Sequence, residues 1–208
     1  MPFTKYAIET FISSRITELT ECRLTDLLTE FPNSGSWVSG FGLMVIFVNQ
    51  PPAVMRPFAL QFVRRVEMAI AEYARMRVEL LDLLSGNPRW SPYYRALHHG
   101  EMAATMLYQA YDLSRKKLKT QFFESDDGSP LQRLNLIYTA SKHQVAEAED
   151  PVWLSNEGMH TAQAKLLFVE FEALTRSLAQ VAQRLTSPEG AVSGQSVDRP
   201  PVSNDLFQ

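Results

Sequence analysis

A single cysteine, Cys22, stands among 208 residues. Glycines number nine, and no apolar stretch is long enough to span a bilayer. One thiol excludes an intramolecular disulfide and fits a reducing compartment. No glycine follows a strand at the spacing of a phosphate-binding loop, and CxxC, HExxH and G-x-S-x-G are missing, so the common signatures of nucleotide loops, structural zinc, zinc proteases and serine hydrolases are gone. There is no charged start followed by an apolar segment, and the expectation is a soluble, cytoplasmic protein. Basic excess is missing as well. A net charge of −3 and a pI near 5.8 argue against nucleic-acid or membrane-surface binding by the chain as a whole, and no membrane partner is expected.

What is present is helix. With 45% hydrophobic residues the chain can bury one sizeable core, and the expected organisation is a single domain over 1–186 followed by a disordered tail over 187–208, where Ser, Pro, Gly, Val and Asp replace apolar periodicity. Apolar steps of three and four predict helices over 4–31, 58–84, 91–119, 130–148 and 161–185, giving an all-α, antiparallel bundle of about five main helices with long loops over 32–57 and 150–160. The phase of the first helix slips around Cys22. The run Leu43-Met44-Val45-Ile46-Phe47-Val48 suits a buried strand, a buried helical turn or an extended wall segment. Trp153 is expected as a plug laid across the bundle. Charge is uneven: residues 51–100 carry seven Lys/Arg against four Asp/Glu, while Arg115, Lys116, Lys117 and Lys119 close one helix, where they complement its dipole.

The chain is organised around residues 91–148, which hold three of the four histidines. Ser91-Pro92 and Ser129-Pro130 each read as an N-cap serine with proline at the first helical position. Glu101 breaks the apolar face of the first of these helices; His98, or a cation from another helix, is its expected partner, because an unpaired carboxylate on a packed face is costly. On the second helix Asn135, Tyr138 and Lys142 share a side, and His143 lies one turn beyond Thr139. Antiparallel packing brings Arg95, His98 and Glu101 toward Lys142 and His143. His98 and His99 point about 100° apart on a helix, so no metal site is expected, and no cofactor is implied.

A helical bundle of this size, bearing Arg133, Asn135 and Ser141-Lys142-His143 on one polar helix, resembles the HEPN group of nucleotide-binding and RNA-cleaving domains. The resemblance covers mainly residues 91–185. It implies a polar site with a nucleotide or RNA ligand, in which His143 acts as general base, Arg133 and Lys142 stabilise phosphate charge, and Arg95, His98, Glu101 and Asn135 bind the ligand. The family's cleavage motif has an Arg and a His with four to six residues between them. Here Arg133 and His143 have nine between and Arg95 and His99 have three, so cleavage is not carried over. A further expectation comes from Leu167, Phe171, Leu174, Leu178, Val181 and Leu185, a four-three seam that suits either the bundle interior or a homodimer face, and motivates a self-associating interaction module.

Overall fold

The computed structural model describes residues 10, 14–85, 91–118, 126–142 and 151–187. Two helices dominate it. Helix α4 (Arg56–Leu84) follows three short ones, α1 (Ser14–Glu18), α2 (Leu27–Glu30) and α3 (Trp37–Leu43), and leads to α5 (Ser91–Leu118). Helices α6 (Pro130–Lys142) and α7 (Phe168–Thr186) complete the helical layer, with a small sheet of β1 (Trp153–Leu154), β2 (Gly158–His160) and β3 (Lys165–Leu167) between them in sequence.

Helix α4 is the axis. Phe62, Val66, Ile70, Tyr73, Met76 and Leu80 recur at three- and four-residue steps and are all sealed from solvent. Its partner α5 runs antiparallel. Arg65 meets Met106, Glu72 meets His99 and Glu79 meets Arg95, so positions rise along one helix as they fall along the other. Helix α7 lies on another flank, where Tyr73 stacks on Phe171 with ring centroids 5.3 Å apart. The four-three seam of α7 is spent there: Phe171 and Leu178 are buried, and Leu174, Val181 and Leu185 pack against the same core. The serine-proline reading holds for α6, whose first turn is capped by Ser129 Oγ accepting from Gln132 N–H at 3.1 Å.

Three expectations need correction. The first predicted helix is broken among the described residues, with 19–26 in neither helix nor strand between α1 and α2. The cause is competition for backbone donors: Asn156 Oδ1 accepts from Thr20 and Glu21 N–H at 2.8 and 3.2 Å, and Glu172 accepts from Thr25 N–H at 2.8 Å. The predicted loop over 32–57 holds α3. Residues 153–167, read as loop and helix start, form a three-stranded antiparallel sheet in the order β1-β2-β3, with Trp153 opposite His160 and Met159 opposite Leu166. Trp153 is half-buried in β1, stacked on His160 and covered by the Arg15 guanidinium 3.6 Å from its ring centroid. Met159 and Leu166 point inward and Tyr93 pins the sheet to α5, its hydroxyl accepting from Leu154 N–H at 3.1 Å. The expected tail beyond 187 lies outside the described residues.

Candidate functional site

The α5–α6 hairpin packs antiparallel, as its turn predicts. Tyr108 stacks on Tyr138 at 4.6 Å, and Glu101 lies beside Ser141, whose hydroxyl donates to Ile137 O at 3.0 Å, next to Lys142. His143 lies outside the described residues. Of the other residues read from the sequence, Lys142 is exposed, 5.9 Å from the centroid of the Tyr138 ring, and Asn135 is half-buried on α6. Arg95 turns away to α4, where it pairs with Glu79 at 2.7 Å and Asp82 at 3.7 Å. His98 is exposed, whereas His99, about 100° further round α5, faces α4 and places Nδ1 2.7 Å from Glu72 Oε2. The His–carboxylate pair of this helix is therefore His99–Glu72, while Glu101 lies beside Ser141.

Burial raises the Glu101 carboxyl above its usual value, and the Ser141 hydrogen bond offsets part of that rise. A raised carboxyl gives its stabilisation below the unfolded value near 4.5 and loses it as pH climbs through the folded one. Glu101→Gln keeps the size of the side chain and removes the desolvated charge. Its expected effect is a higher melting temperature than wild type at pH 7 and none, or a reversal, at pH 4; a lower melting temperature at pH 7 would show that the charged form is held by a cation.

Arg133, the other predicted phosphate-stabilising residue, lines an open cleft of about 660 Å³ between α6, the β2–β3 turn and the start of α7. Its guanidinium donates to Gly128 O and pairs with Glu170, and Lys165 across the cleft pairs with Glu157. Both cations are matched by carboxylates in the same walls. At the sheet, His160 Nε2 lies 2.7 Å from Ser155 Oγ, which also accepts from Glu157 N–H at 3.1 Å. Burial and then Lys165 lower the His160 pKa, favouring a neutral ring whose tautomer sets which partner of the pair donates. The pair closes the tight turn at 155–158. Among the described residues no three His, Cys, Asp or Glu side chains gather to hold a metal ion.

The remaining buried charge is structural wiring. Glu172 accepts from Tyr73 OH at 2.5 Å and from Thr25 Oγ1 at 2.8 Å, and Arg176 bridges it to Glu30. Every lone pair of this carboxylate has a donor, which is the condition for holding a charge in a core.

The chain's least protein-like surface lies at the other end of α4. From Phe31 to Met55 there is no Asp, Glu, Lys or Arg in twenty-five residues. Helix α3 runs directly into a π-helical turn, Met44–Val48, which ends where Asn49 adopts a left-handed φ of 55°. Only Met44 of this turn is buried; Ile46 is 71% exposed and Phe47 78%, and they are joined by Leu43 at 56% and by Val54 at 79%. This overturns the reading of 43–48 as a buried segment. The helical period is the reason, since a run apolar on all sides can send only one face inward. The base of the tip is braced. Glu67 accepts from Val38 N–H at 2.9 Å, Gly40 approaches the Thr186 carbonyl closely, and Arg56 donates to Pro51 O at 3.0 Å and to Asn49 Oδ1 at 2.5 Å.

No family model, no curated protein and no solved structure matches the chain. Function has to be read from these surfaces alone.

Proposed function

We propose that the chain is a binding module whose contact surface is the uncharged apolar tip at 43–54. The observation that carries this is the exposure of Leu43, Ile46, Phe47 and Val54 on one braced projection. Single exposed apolar residues are ordinary; a contiguous group with no charge inside it marks a contact site. The apolar seam of α7, which motivated self-association, is packed within the chain and is not open to a second copy. Removing four such side chains from water contributes about 5 kcal/mol. Ordering two proteins costs at least about 4 kcal/mol, so apolar contact alone supports only weak association and a second attraction is needed for a firm complex.

The surface itself is tested with a solvent-sensitive naphthalene sulfonate dye. Wild type is expected to enhance its fluorescence several-fold, and Ile46→Ser with Phe47→Ser to remove most of that gain while leaving the far-UV spectrum and melting temperature unchanged. Equal enhancement by the double variant would place the apolar surface elsewhere. A second reading, a nucleotide or RNA ligand at the HEPN-like hairpin, is supported by Glu101 beside Ser141 at the α6 end that carries Lys142. Equal retention of labelled mononucleotides and RNA by wild type and Lys142→Ala would remove it.

A further inference from the structure

The antiparallel register of α4 and α5 decides what surrounds the tip. Arg65 lies beside Met106, and moving nine residues back along α4 and nine forward along α5 brings Arg56 level with Arg115. The C-terminal turn of α5 therefore ends at the same pole as the tip, and it carries Arg115, Lys116 and Lys117, all exposed. Helix α7 ends there too, because Gly40 of α3 meets Thr186, which places exposed Arg184 at the rim. Exposed Arg64 completes the group, one turn from Leu60, itself exposed on α4. With the half-buried Arg56 and Arg65 the pole holds, among the described residues, seven cations and two carboxylates. Glu67 is engaged with the Val38 amide and Asp112 lies between Arg115 and Lys116.

Among the described residues an excess of five positive charges thus surrounds the uncharged tip, while those outside the pole carry thirteen Asp/Glu against nine Lys/Arg. We infer that the tip, with its basic collar, docks on an anionic phospholipid surface, Ile46, Phe47 and Val54 entering the interface and the collar lying at the headgroups. The inference rests on the reading of the tip as the contact surface and names its partner. Charge complementarity selects it. Apolar groups gain from the acyl boundary while each Lys or Arg within a Debye length is attracted to the anionic leaflet. A twofold pairing of two tips would instead bring two collars of the same sign together, which opposes a second copy as occupant. The described residues outside the pole, with their excess of carboxylates, are repelled from the same membrane, which favours a tip-first approach. No helix among the described residues is long and apolar enough to cross a bilayer, so attachment would be to the surface.

Sedimentation of the full chain with vesicles tests this. Phosphatidylcholine vesicles containing about a third phosphatidylserine should carry the protein down, pure phosphatidylcholine should not, and raising salt should release it. Ile46→Ser with Phe47→Ser should weaken binding about tenfold or more. Arg115→Gln, Lys116→Gln and Lys117→Gln together should weaken it about a hundredfold, at roughly fivefold per cation. Both variants are checked for unchanged helix content. No binding to anionic vesicles, or equal binding by either variant, overturns the lipid proposal. If vesicles fail but sedimentation velocity shows a concentration-dependent dimer lost in Ile46→Ser/Phe47→Ser, the contact surface stands and its occupant is a second copy. If the dye assay fails too, the surface itself is wrong.

Discussion

Gly158→Ala is expected to cost about 3 kcal/mol, the upper end of overpacking penalties, and to lower the melting temperature by about 10 °C for a chain of this size. Gly158 sits opposite Leu167 in the β2–β3 ladder, and a Cβ built there would lie 2.1 Å from the Leu166 carbonyl oxygen and 2.9 Å from Leu167 Cα. Both are backbone atoms, so no rotamer change relieves the contact and the strands must part. Parting them also pulls on Phe168 N–H, which donates to Glu157 O at 2.8 Å as α7 begins. Gly42→Ala is the matched control: nothing lies within 4 Å of its added methyl, and alanine favours the helix it occupies. A circular-dichroism melt in which Gly158→Ala tracks Gly42→Ala would mean that β2 and β3 are not in this register.

Glu172→Ala should destabilise by about 3–5 kcal/mol, because it removes the acceptor shared by Tyr73, Thr25 and Arg176 and leaves their donors buried or half-buried without it. The network joins three parts of the chain that share no local sequence, namely the irregular 19–26 segment, α4 and α7. Tyr73 is a dependable donor. Burial first, and the neighbouring Glu172 second, push its hydroxyl far above the ordinary tyrosine value. Tyr73→Phe removes one donor and leaves the carboxylate with its others, so it should cost only about 1 kcal/mol. Urea unfolding of the two single variants and the double variant gives the coupling directly. If Glu172→Ala costs no more than Tyr73→Phe, the carboxylate is not the hub.

The long helices were legible because their information is local. Phe62 to Leu80 keep the three-four step, and Ser129-Pro130 announces a start that needs no tertiary partner. Long-range acceptors were not legible. Nothing near Thr20 or Thr25 in sequence says that Asn156 and Glu172 will take their amides and unwind the helix that the apolar stripe predicts. The sheet was hidden for a related reason: its strands are two and three residues long, and Leu167, the start of the heptad seam, belongs to β3 while still fitting the helical period of α7. At the hairpin, antiparallel packing brought Glu101 to the Lys142 end of α6, yet the orientation of adjacent residues decided the rest, sending His99 inward and His98 to solvent. The tip had a signal. A stretch of twenty-five uncharged residues is visible in the sequence, but apolar content alone does not tell buried from projecting, and the basic collar needed the helix register.

The most direct measurement places the photo-crosslinker benzoylphenylalanine at position 47 and, as the control, at Val78, which is 62% exposed on α4 away from the tip. Each full-length protein is irradiated with anionic phospholipid vesicles, and adducts are read by mass spectrometry. Lipid adducts are expected from position 47 and background at 78. Equal yields from the two positions, or none from 47, would contradict it.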